Sequence, residues 1–293
     1  MSTYNGEKYL DQQIQSLVNQ EDVEIEILVR DDGSNDKTII KLEEWSKKIN
    51  LIYYMGENKK TAKSFMDLVM SCDLSFDYYA FSDQDDVWES KKLIKAIEKI
   101  QKYEKEPALY ISTTKVVDQN LKFICKRQIS SFNNLENALL KNEAVGCTEV
   151  LNQKMMLKLK KYNPRFLKMH DSWTCRVCYA IGGYVYIDNN SYILYRQHEN
   201  NVIGFKKFWL DKFKEQFNTA FYEKIRLREK FAEELLIGYK DDIDEHNKVI
   251  LETFKNYPYS YKSKLKLLTS KNIQTPYMFT NIKIKLAILI NKF

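Results

Sequence analysis

The sequence lacks the features that mark several common protein classes. Only eight of its 293 residues are glycine and four are proline, which excludes collagen-like and low-complexity chains. No apolar run reaches the roughly 18 residues that a membrane-spanning helix needs, and no signal-peptide pattern is visible at the N-terminus. We therefore predict a soluble protein that faces the cytoplasm.

Two glycine-rich nucleotide-binding motifs are also missing. No GxGxxG follows the first predicted strand, and no GxxxxGK[ST] occurs anywhere in the chain. These absences argue against a dinucleotide-dependent oxidoreductase and against a P-loop enzyme. If a nucleotide binds, carboxylates and a metal ion must hold it in place of a glycine-rich loop.

The cysteines do not form an obvious disulfide or metal framework. The chain has five, an odd number, which favours reduced thiols. Cys175 and Cys178 form one CxxC pair, but redox or zinc chemistry would need a second ligand pair or a thioredoxin-like setting. Two small residues on one helix face are the favoured interpretation.

The excess of basic over acidic residues is small. The formal net charge is +6, from 46 Lys and Arg against 40 Asp and Glu. This charge fits an anionic substrate or an anionic membrane surface and is too weak to indicate nucleic-acid binding.

The sequence does contain a regular alternation of strand and helix patterns. Strands are predicted within VEIEILVRDD, NLIYYMG, YYAFSD and ALYISTTKVVD, and helices over 6–20, 34–49, 61–72 and 90–103. Ser34 or Asn35 is the predicted N-cap of the second helix. The alternation predicts an α/β fold with a doubly wound, mostly parallel sheet.

Two acidic clusters follow predicted strands of this sheet. Asp31 and Asp32 follow the first strand, and Asp83, Asp85 and Asp86 lie between apolar residues in AFSDQDDVW. Ligands of such sheets bind beyond the carboxyl ends of the strands, so the clusters should meet at one edge. A divalent cation with a phosphate-bearing ligand is favoured over the alternative of solvated turns.

Three segments in this order resemble inverting family-2 glycosyltransferases with the GT-A fold. They are MSTYNGEKYLDQQIQSLVNQ, ILVRDDGSNDKT and FSDQDDVW; the later segments EAVGCTEVLNQKM, MHDSW and ILYRQHENNVIG resemble bacterial rhamnosyltransferases of polysaccharide assembly. The resemblance covers about residues 1–205. It implies a GT-A fold, a nucleoside diphosphate sugar donor and a glycan or lipid-linked acceptor.

The resemblance implies roles for residues at the first acidic cluster and the N-terminal turn. Thr3, Tyr4 and Glu7 lie where such enzymes hold the base and ribose. Asp32, with Asp31 beside it, lies where a carboxylate accepts from the base N3–H. The alternative for Asp32 is a simple turn with Gly33.

The SDQDD segment corresponds to the family's DxD motif. Asp83 would contact the ribose, Asp85 would ligate Mg²⁺ or Mn²⁺ on the diphosphate, and Gln84 is grouped with the substrate-binding residues. Asp86 is included as substrate-binding too, with a carboxylate at a helix N-terminus as the equal alternative.

Further roles are implied in the second half. Asp171 lies where the family has its catalytic base, and His198 where a late metal ligand lies, with Arg196 close by. A salt link between His170 and Asp171, and a surface histidine at 198, are the alternatives.

Two more positions are assigned to substrate binding. Lys63 could meet phosphate or be solvated, and Cys147 in the Gly146–Thr148 turn would lie near the donor sugar. A buried cysteine in a tight turn explains Cys147 equally well.

One departure from the family pattern concerns the start of the chain. Only a stub of the first strand precedes the STYN turn, because the sequence begins at Met1. We expect either a start annotated several residues late or a weakened sheet. The assignments of Thr3 and Tyr4 depend on this point.

The remaining residues suggest a second unit. We divide the chain into a GT-A domain at 1–204 and a helical, basic extension at 205–293. Aromatic residues recur every four positions at Phe205, Trp209, Phe213, Phe217 and Phe221, which indicates one helix face, either packed on the catalytic domain or lying at a membrane interface. Residues 254–293 have eight lysines and no acidic residue, which suits contact with the anionic inner face of the cell membrane.

The sequence as a whole predicts a metal-dependent inverting glycosyltransferase of bacterial surface polysaccharide synthesis. Rhamnose from dTDP-rhamnose is the leading donor, and a UDP-hexose or UDP-N-acetylhexosamine is the alternative. An inactive GT-A module that scaffolds an assembly complex is the alternative from another class.

Overall fold

The computed structural model describes residues 1–129, 133–140, 144–198, 226–275 and 278–293. Its N-terminal half contains a parallel sheet of three strands with the order β1-β2-β3. The strands are β1 (Ser2–Thr3), β2 (Ile27–Asp31) and β3 (Leu51–Met55), and the helices that alternate with them are α1 (Leu10–Val18), α2 (Thr38–Ser46) and α3 (Lys60–Ser71). Leu10, Ile14 and Leu17 give α1 its buried face at helical spacing.

A second sheet has mixed strand directions. Its strands are β4 (Tyr78–Ala80), β5 (Val87–Trp88), β6 (Ala108–Val117), β7 (Phe123–Lys126), β8 (Val150–Asn152) and β9 (Tyr184–Arg196). The order is β4-β8-β6-β9-β5, with β7 paired to β6. Only the β6–β9 pair is parallel among the described pairings of this sheet. Strand β6 is nearly all buried, because it lies in the middle of the sheet between β8 and β9.

Helices cover these sheets and form the C-terminal part. They are α4 (Lys92–Ile100), α5 (Leu135–Leu140), α6 (Gln153–Lys160), α7 (His170–Ala180), α8 (Leu227–Gly238), α9 (Glu245–Asn256), α10 (Tyr261–Thr269) and α11 (Met278–Leu289). The predicted α/β class, with a parallel sheet, flanking helices and a helical C-terminal part, is confirmed. No helix in the described ranges is long and apolar enough to cross a bilayer.

The C-terminal helices share a core with the sheet-bearing half. Phe231 and Leu235 of α8, and Tyr239 directly after it, are buried in one apolar cluster with Trp173 of α7. The guanidinium of Arg176 lies 3.8 Å from the ring centroid of Phe231. The predicted boundary at 204/205 and the aromatic stripe from Phe205 to Phe221 lie outside the described residues.

Two local predictions can be compared directly with the structure. Helix α2 begins at Thr38, so the N-cap predicted at Ser34 or Asn35 is wrong. The Ser34 hydroxyl instead donates to Asp31, and Asp36 accepts from the Thr38 N–H at 2.9 Å. The CxxC prediction is confirmed, because Cys175 and Cys178 are free, buried thiols on α7.

Candidate active site

The loop between β4 and β5 brings the second acidic cluster against the turn at Gly146–Thr148. One ligand atom each from Asp83, Asp86 and Cys147 lies within 4.8 Å of the others. Asp86 is fully buried, and its Oδ1 accepts from the Arg196 N–H at 3.0 Å. Its Oδ2 accepts no hydrogen bond within the described ranges. The alternative that Asp86 caps a helix is wrong, because α4 begins only at Lys92.

Burial and neighbouring carboxylates raise the pKa values of Asp83 and Asp86. Burial raises the pKa of Asp83 to about 7, and the charges of Asp85 and Asp171 add to the rise. Burial, then the charges of Asp85 and Asp83, raises the pKa of Asp86 well above its usual range. Several carboxylates in little water repel each other, so a bound cation would relieve this cost.

Asp85 forms a pair with a residue from the far end of the domain. Its Oδ2 lies 2.8 Å from Nε2 of His198, just after β9. Both side chains are mostly buried, at 16% and 13% exposure. The alternative of a surface histidine at 198 is therefore wrong. The structure brings together the two residues that the sequence analysis names as metal ligands.

Arg196 holds the acidic loop in position. Its Nε donates to the Asp85 carbonyl at 2.7 Å, and its two terminal nitrogens donate to the Gln119 carbonyl and to Gln12 Oε1, both at 2.6 Å. The guanidinium also lies 4.4 Å from the ring centroid of Tyr9. These bonds occupy the planar donor fork of Arg196, which makes it a positioning residue for the loop.

Asp171 is buried in the first turn of α7. Burial raises its pKa to about 6, although hydrogen bonds from the Ser172 and Gly146 N–H groups and the charges of Arg127 and Arg176 oppose the rise. The turn that follows Val145 links it to the acidic loop, because the Gly146 N–H bonds to Asp171 and the next residue, Cys147, lies within 4.8 Å of Asp83. A carboxyl group with a pKa near neutrality is suited to accept a proton.

His170, next to Asp171, is packed as an apolar group. Its ring stacks on Phe65 at 3.9 Å and meets Phe81 edge-on at 4.9 Å. Burial lowers its pKa to about 3, and neither ring nitrogen has a hydrogen-bond partner within the described residues. The alternative of a His170–Asp171 salt link is therefore wrong. A Cβ on Gly146 would lie 2.3 Å from His170 Nε2, so only glycine allows this approach.

Gln84 joins the acidic loop to the N-terminal turn. Its Oε1 accepts from the Tyr4 N–H at 2.9 Å, and its Nε2 donates to the Tyr4 carbonyl at 3.0 Å. The Tyr4 side chain is exposed beside this contact, while Thr3 is buried and donates to Asp31 Oδ2 at 2.9 Å. The N-terminal turn and the second acidic cluster therefore form one surface.

The carboxylates near the N-terminal turn are largely used inside the protein. Asp31 is fully buried and accepts from the N–H groups of Gly33 and Ser34 as well as from Thr3. Asp32 is buried and pairs with Arg30. These contacts indicate that Asp31 fastens the turn to β1 and has no exposed oxygen for a ligand.

The two remaining substrate-binding predictions concern exposed side chains. Glu7 accepts from the Lys37 N–H at 2.9 Å and so ties the turn to the start of α2. Lys63 is exposed on α3, at the surface. Neither is brought into the carboxyl cluster by the contacts of the described residues.

Two buried titratable groups beside the site are not among the residues predicted from the sequence. Both carboxylate oxygens of fully buried Glu149 lack hydrogen-bond partners within the described residues, and burial, then Asp171, raises its pKa well above the usual range. Lys92 has its Nζ 3.5 Å from the Trp88 ring centroid, and burial lowers its pKa to about 7. The available signal for Glu149 was an acid placed directly before the apolar residues of β8.

The donor set fits a hard divalent cation. Carboxylate oxygens are the ligands that Mg²⁺ and Mn²⁺ prefer, whereas the Cys147 thiol is soft and has its pKa raised well above the usual range by burial. The partnerless oxygen of Asp86 and the raised pKa of Asp83 are the features that a bound cation would explain.

Comparison with known proteins decides the family. The model for "Glycosyl transferase family 2" matches residues 1–157, which is more than half of the chain. This chain belongs to glycosyltransferase family 2. The predicted enzyme class, a glycosyltransferase, is therefore confirmed.

Curated relatives of this glycosyltransferase include two bacterial sugar transferases. It is 30% identical to the dTDP-rhamnosyl transferase RfbG of Shigella flexneri over 220 residues. This alignment covers 70% of this chain and 73% of the relative. It is 29% identical over 161 residues to the Escherichia coli UDP-Glc:alpha-D-GlcNAc-diphosphoundecaprenol beta-1,3-glucosyltransferase WfgD, covering 54% and 60%.

Solved structures support the fold of this glycosyltransferase. S. aureus TarS 1-349, in complex with UDP-GlcNAc, matches with a TM-score of 0.57 at 19% identity, covering 92% of this chain and 75% of that one. The complex of the same fragment with UDP matches with a TM-score of 0.55 at 18% identity, covering 92% and 74%. At this identity the likeness concerns the fold alone.

Proposed function

We propose that this glycosyltransferase transfers a sugar from a nucleoside diphosphate sugar to a bacterial surface polysaccharide or its lipid-linked precursor, with inversion and with the help of Mg²⁺ or Mn²⁺. The observation that carries the proposal is the turn at Gly146–Thr148: its Gly146 N–H bonds to Asp171, a carboxyl group with a raised pKa, and its Cys147 lies within 4.8 Å of Asp83 and Asp86. One side of the site suits a cation and a diphosphate, and the other suits proton removal.

The donor side would be held by the acidic loop. Asp85 and His198 would hold the cation, together with Asp83 and Oδ2 of Asp86. Oδ1 of Asp86 would also fix the loop through its bond with the Arg196 N–H. A bound divalent cation would neutralise the charge that develops on the departing diphosphate. The exposed ring of Tyr4 and the turn that Gln84 fastens would form the surface for the base and ribose.

On the acceptor side Asp171 would act as the general base. The acceptor hydroxyl gives its proton to the Asp171 carboxylate as its oxygen bonds to the anomeric carbon of the sugar. The bond from that carbon to the diphosphate oxygen breaks, and the nucleoside diphosphate leaves with the electron pair. A single displacement of this kind inverts the anomeric centre and needs no protein nucleophile; a positioned base contributes roughly 10²–10⁴-fold.

Rhamnose from dTDP-rhamnose is the donor that we favour. The support is the similarity to a dTDP-rhamnosyl transferase over 70% of this chain. A UDP-hexose or UDP-N-acetylhexosamine is the second candidate, because WfgD is described as using UDP-Glc and TarS was solved with UDP-GlcNAc. The expected division at 204/205 remains part of the proposal.

A donor screen tests the proposal. The full chain is incubated with dTDP-rhamnose, UDP-glucose or UDP-N-acetylglucosamine, Mn²⁺ or Mg²⁺ and a lipid-linked glycan acceptor, and release of nucleoside diphosphate is measured. We expect the largest acceptor-dependent release with dTDP-rhamnose and loss of release with a chelator. If release were larger with a UDP-sugar, that sugar nucleotide would take the place of dTDP-rhamnose as the proposed donor.

Calorimetry with dTDP or UDP separates an enzyme from an inactive scaffold. Nucleotide binding that requires Mn²⁺ supports the proposed site. Absence of binding to either nucleotide in the presence of metal, together with no release from any donor, would favour the scaffold alternative and overturn the proposed reaction.

A further inference from the structure

Helix α11 has an apolar face that is not covered by the described protein. Six apolar side chains on this face are each between 44% and 75% exposed: Met278, Phe279, Ile282, Leu286, Leu289 and, directly after the helix, Ile290. At 3.6 residues per turn these six positions fall within about 120° of arc. The opposite side of α11 is anchored in the core, because Ala287 and Ile288 are buried and Ile284 packs against the same cluster. We call these six residues the α11 stripe.

Lysines border the α11 stripe. Lys283 and Lys285 project about 20° beyond its two edges at 100° per residue, and Lys285 is exposed. Helix α10 lies alongside, with Lys264 Nζ donating to the Leu289 carbonyl at 3.3 Å. It adds exposed Tyr261 and Leu265 to the apolar surface, and Lys262 and Lys266 of the same helix are exposed as well.

The positive charge around the α11 stripe indicates which kind of surface the stripe would bind. Residues 254–293 contain eight lysines and no aspartate or glutamate. A second copy of the chain on this face would bring lysines against lysines, which opposes self-association. An apolar stripe bordered by cations matches a surface that offers anionic headgroups above acyl chains.

We propose that the α11 stripe and its bordering lysines bind the surface of a bilayer that contains anionic lipid. The helix would lie in the plane of the interface, since its 12 residues span about 18 Å and the hydrocarbon core is about 30 Å thick. The lysines would contact headgroups while the stripe enters the boundary with the acyl chains. This goes beyond the proposed transfer reaction, and its test requires neither donor nor acceptor.

Vesicle sedimentation of the full chain tests the surface. The probes are vesicles of phosphatidylcholine alone and of phosphatidylcholine with phosphatidylglycerol. We expect binding to the anionic vesicles, weaker binding to the neutral ones, and a decrease as salt rises. Ile282→Gln, Leu286→Gln and Leu289→Gln combined should lower binding at least about 10-fold.

A matched triple variant controls for loss of exposed aliphatic residues in general. Ile40→Gln, Ile237→Gln and Val249→Gln also replace aliphatic side chains on helices, at 43% to 56% exposure against 44% to 52% for the tested three. Binding by this control should equal that of the unmodified chain. Circular dichroism and the unfolding midpoint establish that both triple variants fold.

A second pair of variants tests the lysines. Both variants change the net charge of the chain by the same amount, so only the position of the charges differs between them. Lys262→Glu, Lys266→Glu and Lys285→Glu should lower anionic binding at least about 10-fold, whereas Lys105→Glu, Lys154→Glu and Lys240→Glu should not. Equal binding to neutral and anionic vesicles, or equal binding by both members of either pair, would overturn the proposal. Light scattering tests for self-association. If the stripe variant lost self-association without a change in vesicle binding, the stripe would bind a second copy of the chain, and the membrane proposal would be overturned.

Discussion

Oδ2 of Asp85 lies 2.8 Å from Nε2 of His198, although 113 positions separate the two residues in the sequence. The pair closes the acidic loop against the end of β9, and Arg196 reinforces the closure through the Asp85 carbonyl. A cation at this point would be held by residues from two distant segments of the chain. Removing either member of the pair should therefore affect metal binding before it affects proton removal.

Asp85→Asn tests the metal assignment. The amide keeps the size of the side chain and removes its charge, so metal-dependent nucleotide binding should weaken about 10-fold or more. Calorimetry with dTDP and Mn²⁺ provides the measurement. Asp188→Asn is not a suitable control because Asp188 bonds to Tyr110, whereas exposed Asp22 offers Asp22→Asn, which should bind normally. Unchanged affinity in Asp85→Asn would contradict the assignment.

Asp171→Asn separates chemistry from donor binding. The variant cannot accept a proton, so turnover should decrease by roughly 10²-fold or more while nucleotide binding stays near that of the unmodified chain. Single-turnover release and calorimetry measure the two properties on the same preparation. If donor binding were lost and residual turnover kept, the general base would have to be another residue.

The pH dependence of turnover should report on Asp171. Its pKa is raised to about 6, and a base works only in its ionised form, so kcat should fall as pH decreases below about 6 at saturating donor and Mn²⁺. Metal affinity is measured across the same range, because Asp83, with a pKa of about 7, also takes up a proton there. An acid limb that disappears when metal is raised would belong to the metal site and not to the base.

Glu149→Met should stabilise the fold. The two Glu149 oxygens are buried with no hydrogen-bond partner in the part of the chain that the structure describes, and an unsatisfied polar group of this kind costs about 1–3 kcal/mol. Its pKa is raised in the folded state, so the unmodified chain loses stability as pH rises from the unfolded value near 4.5 through the folded one. The advantage of the variant in urea unfolding should thus grow with pH.

The matched comparison for Glu149 is a buried carboxylate that accepts two hydrogen bonds, both at one oxygen. Glu234 is mostly buried and accepts from Tyr162 Oη and the Arg165 N–H, so Glu234→Met should destabilise the fold. Destabilisation by Glu149→Met across the whole pH range would show that Glu149 has a partner that matters for folding.

Much of the fold could be predicted because local patterns determine it. Apolar residues at helical spacing gave α1 and α3, and the buried run ALYISTTKVV gave the central strand β6. The order of the motifs that contain the two acidic clusters also indicated the protein family. These features depend on neighbours a few residues apart, so the sequence displays them directly.

Only the tertiary structure decided which side chains meet and which are left without partners. The Asp85–His198 pair, the burial of His170 on Phe65 and the internal bonds of Asp31 each depend on segments that are distant in the chain. The pKa values of Asp83 and Asp171 follow from the same burial. Solvent exclusion and the approach of charges are properties of the packed chain. The sequence alone therefore indicated the candidate site residues, whereas their contacts, burial and protonation depend on the tertiary structure.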